Sequence, residues 1–223
     1  MPKTIIDHLQ RRQFLKFSAI GMGTAALSLK AAAVTSCFET PEQTSGPFFP
    51  GESQFSPDND LTVVQGAKAA PLGQVIYIQG IVKDALCRPV AGVNVEIWQA
   101  CASGRYNNKN DPNTAPLDAN FKYWGEAITD HSGAYLFKTI LPGAYPADTD
   151  WVRPPHIHFK LSKLGYHELV TQMYFGGQSL NDQDKILLQV PLASRPNVIV
   201  YFQPNPAQPG TQVGNFDITI LKV

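Results

Sequence analysis

The 223-residue chain is 43% hydrophobic and 16% charged, with 18 Lys and Arg against 18 Asp and Glu. Zero net charge excludes a generally basic nucleic-acid binder and a strongly acidic solvating chain, and no run of about 18 uninterrupted apolar residues marks a lasting membrane span. The neutrality is a sum of unlike parts: residues 1–36 carry Lys3, Arg11, Arg12, Lys16 and Lys30 against Asp7, leaving 13 basic and 17 acidic side chains for residues 37–223.

In chain order, the first 36 residues read as an address. Gln10-Arg11-Arg12-Gln13-Phe14-Leu15-Lys16 has the form of a twin-arginine export signal, followed by a mildly apolar run from Phe17 to Leu29 and then Ala31-Ala32-Ala33. Export to a periplasmic or extracellular location is the expectation. Two processing points coexist: peptidase cleavage after Ala33, or a lipobox Val34-Thr35-Ser36-Cys37 that would lipidate Cys37 and leave a membrane-anchored lipoprotein. Cys87 and Cys101 can pair in an oxidising compartment, or both can stay as buried free thiols.

Residues 37–73, rich in proline, read as an extended N-terminal arm, and residues 74–223 as a single domain. Period-two patterns dominate there. Val75, Tyr77, Gln79 and Ile81 share one strand face and Val93, Val95 and Ile97 another, with a turn at residues 85–89 between them. A second turn at Thr129–Gly133 leads into a strand over 134–140. Further strands are expected at 156–161, 169–175, 198–202 and 216–222. Without a sustained helical stripe, the expected fold is an all-β sandwich. Residues 102–125 form a connection long enough to be functional.

Arg153-Pro154-Pro155-His156-Ile157-His158-Phe159 is the most informative segment. On a strand, His156 and His158 point to one face, about 7 Å apart along the backbone, and two imidazoles so placed can converge on one ion. The segment holds no Cys or carboxylate to complete a familiar zinc or ferrous triad. The nearest further donors are Tyr106 and Tyr145, each where a loop meets a strand. Phenol oxygen ionises near pH 10, so only an acidic ion would bind it as phenolate; hard ferric iron suits two phenolates, a hydroxide and neutral imidazoles.

The pieces form a larger set: Thr40–Phe49, Trp98-Gln99-Ala100, Gly104-Arg105-Tyr106, Ala115–Asp118, Pro142-Gly143-Ala144-Tyr145-Pro146, the Arg153–Phe159 segment and Thr171-Gln172-Met173-Tyr174-Phe175. In order and spacing this set resembles the intradiol ring-cleavage dioxygenases, most of all the iron-bearing β-type chain of the protocatechuate branch. The resemblance implies an Fe(3+) site with Tyr106, Tyr145, His156 and His158 as ligands, with Tyr145 the tyrosine that substrate displaces. It implies that Arg153 and Gln172 support charge on the bound substrate, and that Gly46, Pro47 and Arg153 contact it. The substrate class it implies is a small aromatic diol, cleaved with O2 between its hydroxylated carbons without an external reductant. The partners implied are a second copy or an α-type chain, with no nucleic acid and no membrane span.

Some residues depart from the family pattern. Ala147 stands where protocatechuate enzymes carry a pocket Trp, and Cys101 where Asn is common. The arm is too short for the helical dimerisation domain of the catechol and hydroxyquinol branches. Tyr123, Tyr135, Tyr166 and Tyr174 read as packing residues, His131 and His167 as solvated, and Asp111, Asp118 and Asp130 as turn formers rather than a calcium loop. Two rivals remain at this level: a non-catalytic secreted β-sandwich binding module, and a zinc or extradiol enzyme built on His156 and His158.

Overall fold

Alternating apolar residues become strands in the computed structural model, which describes residues 36–51 and 58–223. Apart from Ser36, the export segment lies outside the described residues. The strands are β1 (Val75–Asp84), β2 (Asn94–Trp98), β3 (Trp124–Ile128), β4 (Ala134–Ile140), β5 (Tyr145–Asp148), β6 (Trp151–Arg153), β7 (His156–Ser162), β8 (Leu169–Phe175), β9 (Ile199–Val200), β10 (Gln203–Pro204), β11 (Gln212–Asn215) and β12 (Ile218–Ile220). Short 3-10 turns at Ser179–Gln183, Leu187–Gln189 and Leu192–Asn197 fill the connection from β8 to β9. Among the described residues no helix is long and apolar enough to cross a membrane.

Two five-stranded sheets form the sandwich. In the first, β1 pairs antiparallel with β4 on one side, and on the other runs parallel to β11 and then to β12, with β10 beyond β11. The second has the order β3-β2-β7-β8-β9, and β5 and β6 make a separate hairpin. Ile76, Ile78 and Val82 of β1 face Val95 and Ile97 of β2 and Ile157, Phe159 and Leu161 of β7 across one buried layer. Phe159 packs edge-on against Phe216 at 4.9 Å between ring centres. Each such side chain contributes roughly 1.5–3 kcal/mol on burial, so this layer is the main force holding the sheets together. The Val75, Tyr77, Gln79, Ile81 face of β1 is its outer one, half-buried or exposed.

The strands expected at 134–140 and 169–175 have the observed bounds, whereas those at 198–202 and 216–222 shrink to β9 and β12. The pattern missed β3, β5, β6, β10 and β11, all of five residues or fewer, too short to show a period.

The cysteine pairing differs from expectation. Cys37 bonds Cys87, 50 positions away, and Cys101 is the free, buried thiol. The Cys37 amide donates to Ala85 O (3.1 Å), which lays the arm against the turn after β1. A sulfur committed to a disulfide cannot carry a lipid thioether, so this pairing and lipidation of Cys37 are mutually exclusive. Beyond it, Thr40 exchanges hydrogen bonds with Thr219. Gln43 inserts its side chain between β8 residues, donating to Thr171 Oγ1 (3.1 Å) and Gln172 O (3.0 Å).

Candidate metal and catechol site

Strand register sets the site. In β7, Ile157, Phe159 and Leu161 serve the inter-sheet core, so His156 and His158 must face the opposite side of the sheet; both are buried. Antiparallel pairing places Trp98 and Gln172 on either side of His158, and Tyr174 beside His156. Trp98 stacks on the His158 ring, with centres 4.8 Å apart and planes at 9°.

Loops bring the phenols to this face. Cys101 O accepts from both the Gly104 and the Gly143 amides (2.9 and 3.0 Å), locking the two tyrosine-bearing segments together. Gly104 has φ +82°, and a Cβ there would strike the Ala144 carbonyl, so the approach requires glycine. Asp111 Oδ2 then accepts from the Tyr106 amide (2.7 Å). Tyr145 opens the β5–β6 hairpin directly opposite Arg153.

The four predicted ligands therefore meet. Ring centres lie 5.5 Å apart for Tyr106–Tyr145, 5.7 Å for Tyr145–His156, 5.0 Å for His156–His158 and 6.2 Å for Tyr106–His158. His156 Nδ1 donates to Pro154 O (2.8 Å), which leaves Nε2 as the acceptor facing the Tyr106 hydroxyl (3.2 Å) and Arg153 Nη1 (3.0 Å). His158 Nδ1 is buried without a hydrogen-bond partner.

Electrostatics leave the four donors uncharged. Burial first, and then the Arg153 charge, push His156 well below the usual imidazole range; burial, His156 and Arg153 do the same for His158. Both rings are thus neutral and ready to donate lone pairs. Burial, reinforced by the neighbouring Tyr145, drives Tyr106 well above the usual phenol range, and burial outweighs Arg153 in raising Tyr145. Phenolates would exist here only beside a strong positive centre. Two neutral imidazoles, one of them with an unsatisfied buried nitrogen, and two phenols fit a hard trivalent ion. Among the described residues no three His, Cys, Asp or Glu side chains converge on one point, which leaves the zinc or extradiol reading without its carboxylate or thiolate.

Behind the ligands lies a polar layer. Arg153, itself buried, donates through Nε to Asp184 Oδ2 (2.9 Å) and through Nη2 to Gln172 Oε1 (2.8 Å) and Asp184 Oδ1 (3.3 Å). Gln172 Nε2 donates to Thr44 O (2.8 Å), tying the arm to the site. Tyr174, expected to be a packing residue, has its hydroxyl within 3.4 Å of Gln43 Oε1, Gln172 Oε1 and Asp184 Oδ1. Asp184 went unnoticed in the sequence, because one acidic residue in a polar stretch carries no pattern. Asp111, Asp118 and Asp130 do cap turns as expected.

A cavity of about 250 Å³ opens at this cluster, lined by Gly46, Pro47, Phe48, Tyr145, Ala147, Trp151, Arg153, His158 and Ile186 among others. It falls below the roughly 300–1,000 Å³ of drug-sized sites, so it suits a small ring. A larger surface groove, about 1030 Å³, is lined by none of these residues.

Comparison with known proteins identifies the family. The family model described as "Dioxygenase" matches residues 44–220. The protocatechuate 3,4-dioxygenase beta chain of Burkholderia cepacia is 43% identical over 168 residues, covering 73% of this chain and 71% of that one. Catechol 1,2-dioxygenase of Candida albicans is 30% identical over 171 residues, 71% of this chain; that match spans about half of the relative's own length (52%). Among solved structures, 3-chlorocatechol 1,2-dioxygenase from Rhodococcus opacus 1CP superposes with a TM-score of 0.65 at 25% identity, covering 82% of this chain and 73% of that one. The dioxygenase domain of a carbohydrate-binding fusion from Streptomyces sp. SirexAA-E superposes with a TM-score of 0.63 at 27% identity, covering 83% and 100%. By sequence and by fold, the chain belongs to the intradiol ring-cleavage dioxygenases, a family of oxidoreductases.

Proposed function

We propose that this chain is an exported ferric dioxygenase that opens a protocatechuate-like catechol between its hydroxylated carbons, adding both atoms of O2 to give a dicarboxylate. The observation that carries this reading is the convergence of Tyr106, Tyr145, His156 and His158 beside the small cavity. These four side chains would hold Fe(3+), which when bound would supply a Lewis acid that lowers the pKa of the diol and favours its doubly deprotonated form, the form electron-rich enough to meet O2.

The chain's own groups do the rest. Tyr145, at the cavity wall, would take a catechol proton at Oη as the tyrosinate that the ion keeps deprotonated. Arg153, kept cationic within a dry shell, stabilises negative charge growing on the ring, and Gln172 holds the guanidinium in place through Oε1. Gly46 and Pro47 shape the wall that orients the ring, with Phe48 packed on Tyr106 at 4.9 Å. The mildly acidic mature domain carries no footprint for nucleic acid. A second copy or an α-type chain, such as the name of the Burkholderia relative suggests, is the expected partner.

The test is spectroscopic and chemical. Iron-loaded protein should absorb visibly through its tyrosinates, shift that band on anaerobic addition of catechol, and consume one O2 per dicarboxylate formed. Tyr106→Phe and Tyr145→Phe should each alter the band. A colourless iron-loaded protein that takes up no oxygen with any catechol would sink the reading.

A further inference from the structure

Among the described residues Asp184 is the one fully buried carboxylate behind the site, and it belongs to none of the motifs that identify the family segment. Its side chain is 0% exposed, and its ion-pair partner, Arg153, is 3% exposed. Oδ2 accepts from Arg153 Nε (2.9 Å). Oδ1 accepts from Arg153 Nη2 (3.3 Å) and from the Ile186 and Leu187 amides (3.1 and 2.8 Å). A carboxylate bonded through both oxygens to one edge of a guanidinium fixes the plane of that group. Once Nε and Nη2 are taken, Nη1 is the edge left to face His156 Nε2, at 3.0 Å, on the side of the predicted metal ligands. The same carboxylate anchors Ile186, which lines the cavity beside Arg153.

We propose that Asp184 is a positioning residue for ring cleavage: it aims Arg153 Nη1 at the reacting side and sets the Ile186 wall in register with it. This rests on the role given to Arg153 above. A purely structural ion pair would only add stability, whereas a positioning one controls the charge that Arg153 presents as negative charge builds on the ring. Its loss must then appear in kcat rather than in substrate affinity.

The experiment uses the full iron-loaded chain with catechol as the probe. Asp184→Asn keeps the size and the Oδ1 acceptor but removes the charge. It should lower kcat at least about 30-fold, equivalent to about 2 kcal/mol at 1.36 kcal/mol per tenfold. The catechol Kd, from anaerobic titration of the visible band, should change less than about threefold. Because Asp184→Asn leaves a buried guanidinium unpaired and can unfold the chain, Arg153→Met and the Arg153→Met/Asp184→Asn pair accompany it. The double variant, with neither charge, should fold and bind iron, and should be no slower than Arg153→Met. Costs that multiply, or a fully active Asp184→Asn, overturn the inference. An Arg153→Met enzyme of wild-type speed would instead overturn the proposed role of Arg153, and Asp184's with it.

Discussion

Cys37→Ser removes the bond that staples the arm to the turn after β1. The bond closes a loop of 50 residues, for which the chain-entropy relation gives about 4 kcal/mol at 25 °C. At about 2–4 °C per kcal/mol for a domain of this size, the melting temperature should fall by about 8–16 °C. The effect should also reach the cavity, because Thr44, Gly46, Pro47 and Phe48 of the freed arm form one of its walls. KM for catechol should therefore rise at temperatures where the fold itself is intact. Thermal melts of oxidised protein, dithiothreitol-reduced protein and the variant provide the assay, with intact mass to confirm the bond. Reduced protein melting within about 2 °C of oxidised would refute the stabilising role, and a diacylglyceryl adduct on Cys37 would refute the pairing itself.

Three further outcomes follow from named contacts. Gly104→Ala should destabilise the fold and displace Tyr106, altering the visible band, because its Cβ meets the Ala144 carbonyl; Gly210→Ala, at φ +85° in open space, should cost only about 1–2 kcal/mol of backbone strain and leave the band unchanged. The Lys122 hydrogen bond outweighs burial and holds Asp58 below its ordinary 3.8. That pair's stabilisation is present above pH 3.8 and lost as pH falls through the lower folded value. The melting-temperature gap between wild type and Lys122→Ala should therefore narrow on acidification, and a constant gap would count against the pair. Phe137→Ala, fully buried between the sheets, should cost about 3–5 kcal/mol by denaturant titration while the site keeps its iron.

What the sequence showed depended on the range of each interaction. The His-x-His of β7 was readable because a strand's two-residue period places both rings on one face, and the period of β8 likewise gave its bounds. Tyr106 and Tyr145 came from a resemblance and from their loop positions; no local pattern tells a phenol at a metal site from one in a core. Tyr174 does pack, with Leu187, Val190 and Val198, but its hydroxyl aimed at Gln43 and Gln172 was not foreseen for that reason. Asp184 and the Cys37–Cys87 bond depend wholly on tertiary approach, which is why the sequence left Cys87 and Cys101 open between pairing and staying free.

The hydrogen bonds of Gln43 join residues 128 to 131 positions apart, and the Arg153–Asp184 pair spans a further 31. Such contacts form late in folding, because the entropy of closing long loops must be met before they contribute. Closure of the arm over the donor set is therefore expected to follow strand pairing. Iron uptake should lag behind strand formation and report completion of the native sheet, which makes the appearance of visible colour a clock for the last step of folding rather than the first.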